Sequence, residues 1–514
     1  MILGFILFIR FYIDLLIDKI FAVYWRPKQI VSKPKNPIVM ESATSLAKKI
    51  RTRKLTSEQV VQAFIDRIKE VNPIINSVVD HRFEAALKEA RQIDEDIACG
   101  SILDVDFRDK PFLGVPFTTK ESTACAGLSF TFGLKKRVGK KATFDADCVS
   151  SLKEAGAICL GVTNVPQLNL WQETSNPVYG ITRNPYDTTR NVGGSSGGES
   201  SILAACGSPI GIGTDIGGSV RIPAFMCGVF GHKPTSHLIS TRGLTFRTGD
   251  EEQTIVVVGC MTKFAEDLIP FLKVLVGKNV DKLKLDRPVF VNKLKVYYVT
   301  DPRDPLVSPF RDEMKNVLSS AVEYFSEISG EKPQPLSPEG LKHTGKLWRY
   351  WMSRESNVNF KRDINNREGE VSAWGEIMKY FARSGDFTLP VILNLITGMF
   401  KKVDDEWART ETKKLKEQLL SKLDDNAVLL YPSAPFPAGY HHTPILRPYN
   451  FNLLAIWNVL KFPATQVPMG LGREGLPLGL QVVAAPYQDR LCIAVAKELE
   501  RKFGGYVPPF RDSM

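Results

Sequence analysis

The stretch from Asn191 to Arg221 reads NVGGSSGGESSILAACGSPIGIGTDIGGSVR. It holds two serine-bearing glycine loops, Gly193-Gly194-Ser195-Ser196-Gly197-Gly198 and Asp215-Ile216-Gly217-Gly218-Ser219. Glycine at this density lets a backbone take positive φ and pass close to a neighbour. A serine hydroxyl beside several uncommitted backbone N–H groups supplies both a nucleophile and a seat for an oxyanion. A phosphate cradle of the P-loop kind needs Gly-Lys-Ser/Thr, and neither loop has that lysine. A plain linker would not run at once into the small, apolar segment from Ile202 to Ile212. Acyl transfer at a serine is the chemistry these residues predict.

Such a serine needs a base. Residues 111–121, PFLGVPFTTKE, read as a strand entering the core and ending at Lys120. Most lysines are solvated, but one carried inward has a lowered pKa and can take a proton near neutrality. On the residues alone both readings of Lys120 stand. A second strand is expected over Ala155 to Asn164, after a helix from Cys148 to Glu154. CGVFGHKPT (residues 227–235) reads as a structural loop behind the nucleophile. His232, His237 and the adjacent His441-His442 have no clustered co-ligands and read as structural. No metal or organic cofactor is expected.

With GGSSGGES, TDIGGSVRIPA and GVPFTTKE, the chain resembles the amidase signature family of serine hydrolases. PFLGVPFTTKE, NPYD, GHKPT, LYPSAP and GLPLGLQVVAAP are similar to its fatty-acid amide hydrolase branch, from residue 40 to residue 508. The resemblance implies an α/β fold, a single α/β/α domain with a mixed, twisted central sheet. It makes Ser219 the nucleophile, Ser195 a bridging serine on a cis peptide after Gly194, and Lys120 the general base. It places the oxyanion hole at the N–H groups of Ile216, Gly217, Gly218 and Ser219, with Ser196 and Arg221 as supports. It implies fatty-acid primary amides or N-acyl ethanolamides as substrates and leaves a homodimer open. Pro166 stands where the family often has an acidic or small residue, so the local pocket shape is expected to differ. The amidating component of a tRNA amidotransferase shares the signature but would be soluble and need partner proteins. A non-catalytic, membrane-bound acyl-lipid binder would not need Lys120, Ser195 and Ser219 together.

Composition sets wider bounds. The chain has 514 residues, 43% hydrophobic and 24% charged, ordinary for a globular protein. Its formal charge of +11 comes without a basic block or aromatic-basic interleaving, so nucleic acid is not expected as a partner. A weak attraction to anionic membrane surface suits that charge better. Eight cysteines lie scattered without metal-like spacing, which points to reduced thiols. No N-x-S/T sequon occurs, in keeping with a cytosol-facing domain, at the endoplasmic reticulum or a lipid droplet.

The elements that must position these residues follow in order. Residues 1–25 form a hydrophobic, membrane-anchoring helix crossed by a polar stripe, Arg10, Asp14 and Asp18. The Arg10–Asp14 pair would offset part of its burial cost in lipid, and spanning and lying in the interface are both open. A cleaved signal is not expected, because no basic region precedes the apolar run. Residues 26–40 are a Pro/Lys linker, and residues 41–514 the amidase signature domain. Thr56-Ser57-Glu58-Gln59 is a capping box, and a further helix runs from Phe83 to Ala98. Residues 280–345, rich in lysine and proline, read as a surface excursion. The aromatic run LWRYWM (347–352) follows. The apolar run Phe387 to Phe400 is too short to span and reads as a buried helix or an amphipathic cap near the substrate mouth. Strands over Val428 to Pro432 and Leu476 to Val483 precede a helix from Asp489 to Phe503, with Arg490, Lys497, Glu498 and Arg501 solvated.

Overall fold

The computed structural model of the chain describes residues 2–26, 28–250, 253–355, 359–398 and 402–510. Its strands are β1 (Val78–His81), β2 (Pro116–Lys120), β3 (Ile158–Thr163), β4 (Ser175–Asn176), β5 (Gly180–Ile181), β6 (Ile210–Asp215) and β7 (Phe230–Lys233). They continue as β8 (Val257–Thr262), β9 (Lys295–Tyr298), β10 (Gln334–Pro335), β11 (Ala427–Pro432), β12 (Ala464–Leu471) and β13 (Pro477–Ala484). Eleven of them form one sheet, ordered β1-β3-β2-β6-β8-β7-β12-β13-β11-β9-β10, and β4 pairs with β5 apart from it. The sheet is mixed: β2 runs parallel to β3 and β6, while β6, β8, β7, β12, β13 and β11 alternate antiparallel.

Side chains on a strand alternate between faces, and here both faces are covered. Val428 and Leu430 of β11 join one apolar cluster, while Ala427, Leu429 and Tyr431 join another. The first cluster takes in the helices Ser57–Ile75, Asp312–Ile328 and Asp489–Phe503; the second takes in Thr344–Met352, Asp405–Leu420 and Asn452–Val459. The result is a large α/β domain in three layers. Both faces of β2 are covered, all five of its residues being buried, Thr118, Thr119 and Lys120 among them.

Many local expectations hold. Thr56 and Gln59 form the reciprocal capping box of the Ser57–Ile75 helix, and helices span Phe83–Ala98 and Asp489–Phe503. Three readings need correction. Residues 280–345 are no surface excursion: β9 pairs with β11 inside the sheet, and Met314, Val317, Leu318, Ala321 and Phe325 bury one face of the Asp312–Ile328 helix. The many lysines lie on outer faces and hide that period. Residues 230–233 are strand β7, not loop. Arg490 is buried, its guanidinium donating to the Asp425 carbonyl and to Gln488.

The first helix, α1 (Ile2–Tyr24), lies against the body. No helix among the described residues is long and apolar enough to cross a membrane. The polar stripe faces inward and finds distant partners instead of pairing within the helix. Arg10 donates to the carbonyls of Pro305 and Leu306. Arg447 donates to Asp14 at 2.9 Å and to Asp18 at 2.8 Å, and Arg311 also pairs with Asp18. The linker is tied down too, through Lys28–Asp187 and the Ser32 contacts with Arg67 and Glu70. In the 387–400 run, a helix covers Leu389–Thr397. Its Val391 and Leu395 pack with Phe132, Leu134, Leu168 and Ile364 while Leu393 stays exposed, so the helix has one buried face and one open face. Residues 399–401 of that run and its border lie outside the described residues.

Candidate active site

Lys120 closes β2 with no exposed surface. Its Nζ lies 2.9 Å from Ser195 Oγ and 2.7 Å from Thr214 Oγ1. Burial lowers its pKa to about 7, although the Asp215 carboxylate pulls the other way. A neutral amine keeps one lone pair, and a donor bond to Thr214 leaves that lone pair for Ser195. No sequence pattern points to Thr214. It reaches Lys120 because β6 runs beside β2, a neighbourhood set by register. Glu199 carries no such signal either. Burial raises its carboxyl to about 8, against the hydroxyls of Thr163 (2.7 Å) and Thr118 (2.8 Å) that donate to it. A neutral Glu199 adds no charge beneath the amine.

Ser195 lies just before the Gly197–Ala204 helix, and its peptide with Gly194 is cis. The backbone of residues 171–173 passes so close that a Cβ on Gly194 would stand 2.4 Å from the Trp171 carbonyl oxygen. Only glycine fits there. The two serine loops are stitched together: Ser196 N–H donates to the Ser219 carbonyl at 3.1 Å, and Ser196 Oγ sits 3.4 Å from the N and O of Thr214. Ser219 precedes the Arg221–Met226 helix and is 8% exposed, at the edge of accessibility.

Behind Ser219, Arg221 is fully buried and fully bonded. It meets both Asp215 carboxylate oxygens at 3.1 Å, Gln481 at 2.7 Å, Asn458 at 2.8 Å and the Leu454 carbonyl at 3.0 Å. Burial alone would raise the Asp215 carboxyl, but the Arg221 guanidinium and the Lys233 charge bring it down to about 2. Lys233, at the end of β7, is another buried cation that the sequence does not announce. Burial and then Arg221 lower it to about 7.

The four expected oxyanion donors are not equivalent. Gly218 N–H already donates to Asp215 Oδ1 at 2.7 Å. The N–H groups of Ile216, Gly217 and Ser219 have no acceptor among the described residues. The Asp215 carbonyl is held by Asn458 Nδ2 at 3.0 Å, and the Gly218 carbonyl by Ile222 N–H at 2.7 Å. Beside Ser195, Thr214 and Ile216 lies a cavity of about 90 Å³ lined by Leu168, Leu170, Leu244, Phe246 and Met352, with Asn169, Thr245, Arg247 and Asp363 also in its wall. Leu168 and Asn169, just beyond Pro166, both have positive φ and line the cavity.

The histidines are bound elsewhere. His232 lies between Thr465 and Asp489, His237 beside Lys461, and His441 and His442 against Glu173.

Together these groups can move a proton from a serine hydroxyl to a neutral amine and bind a developing oxyanion beside a partly apolar pocket. The sequence family described as Amidase matches residues 59–493. Fatty-acid amide hydrolase 2 of Homo sapiens is 40% identical over 483 residues, 92% of this chain and 91% of that protein. One component of the glutamyl-tRNA(Gln) amidotransferase of Fusobacterium nucleatum is 30% identical over 485 residues, 90% of this chain and 96% of that protein. A solved fatty acid amide hydrolase shares the fold with a TM-score of 0.74 at 22% identity, over 93% of this chain and 88% of that one.

Proposed function

The chain belongs to the amidase signature family of hydrolases, and from that premise we propose that it cleaves fatty-acid amides at a membrane surface through Ser219, Ser195 and Lys120. The observation that carries the reading is the wholly buried Lys120 amine, 2.9 Å from Ser195 Oγ and next to a loop with three unclaimed N–H groups. Neutral Lys120 accepts the Ser195 proton while Ser195 accepts that of Ser219. Ser219 Oγ then bonds to the amide carbon, and the oxygen takes up negative charge. The N–H groups of Ile216, Gly217 and Ser219 bind that charge, each such donor being worth about 3–4 kcal/mol. When the C–N bond breaks, the relay returns a proton to the departing nitrogen. Water, giving its proton to the same relay, attacks the acyl ester and releases the fatty acid. Ser196 and Arg221 hold the two loops. The substrate class comes from the fatty-acid amide hydrolase relatives, and the apolar part of the wall beside Ser195 suits an acyl chain. The amidotransferase reading has less support, since relatives of that kind are more distant.

Membrane association rests on α1. With Arg10, Asp14 and Asp18 turned inward, the row Phe8, Tyr12, Leu16 and Ile20 faces out, each more than half exposed. A helix docked on its polar side and apolar on the other lies in an interface and does not cross it. Residues 41–514 then work as the catalytic domain, on the cytosolic side, where eight free cysteines are at home.

Labelling with a fluorophosphonate and mapping of the modified residue tests the nucleophile. The label is expected on Ser219, and Ser219→Ala is expected to lose labelling and turnover with the fold intact. Label on Ser195 or Ser196 would overturn the assignment.

A further inference from the structure

Each peptide group of the 215–219 loop is held by one identifiable bond. Asn458 holds the Asp215 carbonyl, the Asp215 carboxylate holds the Gly218 N–H, and Ile222 holds the Gly218 carbonyl. The remaining group, between Ile216 and Gly217, is held by a side chain to which no motif points. Trp348, on the Thr344–Met352 helix, donates its Nε1–H to the Ile216 carbonyl at 2.9 Å. In a trans peptide the C=O and the following N–H point in opposite directions, and the cis bond among the described residues is Gly194–Ser195. A carbonyl fixed on the indole therefore fixes the Gly217 N–H on the opposite side of the loop, where no protein acceptor meets it among the described residues.

The contact is close. A Cβ on Gly217 would come to 2.8 Å from the indole nitrogen, so glycine is required for the tryptophan to reach the carbonyl. The indole is seated from another side by Phe451, edge to face at 4.9 Å. One turn on, Met352 of the same helix lines the cavity beside Ile216. We propose that Trp348 is a positioning residue for amide hydrolysis, aiming the Gly217 N–H at the oxyanion. This rests on the reading of Ser219 as the nucleophile.

Trp348→Phe keeps the aromatic packing and removes the donor. On a short-chain amide, kcat is expected to fall about tenfold, a fraction of the 10²–10³ lost when an oxyanion donor is removed outright. KM should stay within about twofold, because an interaction made only in the transition state leaves ground-state binding alone. A trifluoromethyl ketone, whose serine adduct carries the oxyanion, should lose affinity by the same factor as kcat. Gly217→Ala, which pushes the indole away, should give the same pattern. Because both variants break one contact, the double variant should lose no more than the worse single variant. Wild-type kcat and inhibitor affinity in Trp348→Phe would overturn the role, as would a loss confined to KM or full additivity with Gly217→Ala. Mapping the fluorophosphonate label in parallel separates the two readings. Label away from Ser219 overturns both, whereas label on Ser219 with undisturbed Trp348→Phe kinetics overturns the tryptophan's role alone.

Discussion

Lys120 and Arg221 are both cations without exposed surface, and their surroundings differ in kind. Around Arg221 every N–H of the guanidinium has an acceptor, two of them carboxylate oxygens of Asp215. Around Lys120 the bonding partners are two hydroxyls, and the nearby Glu199 is itself held neutral by burial. A guanidinium cannot discharge in a protein, so it persists in the interior only when paired. A primary amine can discharge, and burial without a bonded carboxylate brings it to about 7. Fixed charge stands where the loops are anchored, and transferable charge where the proposed relay would move a proton.

The comparison breaks hardest under exchange for methionine. Lys120→Met should lower turnover by about 10³-fold or more, the scale of removing a general base, and leave urea stability unchanged or slightly raised. Arg221→Met should instead cost about 3–5 kcal/mol in urea unfolding, the scale of orphaning one partner of a buried pair. Equal stability losses for both would erase the distinction.

A titration sharpens it. Activity should rise with pH through about 7, as Lys120 loses its proton. Asp215 has its folded pKa depressed from 3.8 to about 2, so the stability it contributes is full above pH 3.8 and is lost as pH falls through about 2. Across pH 6 to 8 the rate should therefore move, while the stability lost in urea on Arg221→Met should stay constant, because Asp215 is ionised throughout that range. A rate limb that survives Lys120→Met would assign the titration elsewhere.

The smallest effect is expected at another buried arginine, Arg447, paired with Asp14 and Asp18 of α1. Arg447→Ala should expose residues 2–24 to protease while the melting temperature of the remainder stays within about 2 °C, as for a local opening. Global unfolding would make α1 part of the core.

The serine loops, the strand ending at Lys120 and the capped helices are legible because each is written in adjacent residues. What is not legible depends on residues that meet across the fold. Thr214 and Glu199 reach Lys120 only through the register of β6 and the turn of the helix behind it. The partners of Arg10 and Asp14 lie some 300 and 430 positions along the chain, so nothing local could name them. The aromatic run 347–352 is visible as composition, yet which of its rings touches the Ile216 carbonyl is a fact of packing. Residues 312–328 mislead for another reason: their helical period is present, but the lysine and proline content around them outweighs it.

The docking of α1 bears on how the enzyme would travel. A helix that merely tethered the domain would leave it free to swivel. Here Arg10, Asp14 and Asp18 lock the helix to the body, so on the proposed membrane surface the outward row from Phe8 to Ile20 would act as a keel. On a lipid surface a keel fixes heading: the same ion pairs that hold the helix would set which way the cleft faces. A substrate already dissolved in the bilayer would then meet it by lateral drift in two dimensions, without first having to leave the lipid.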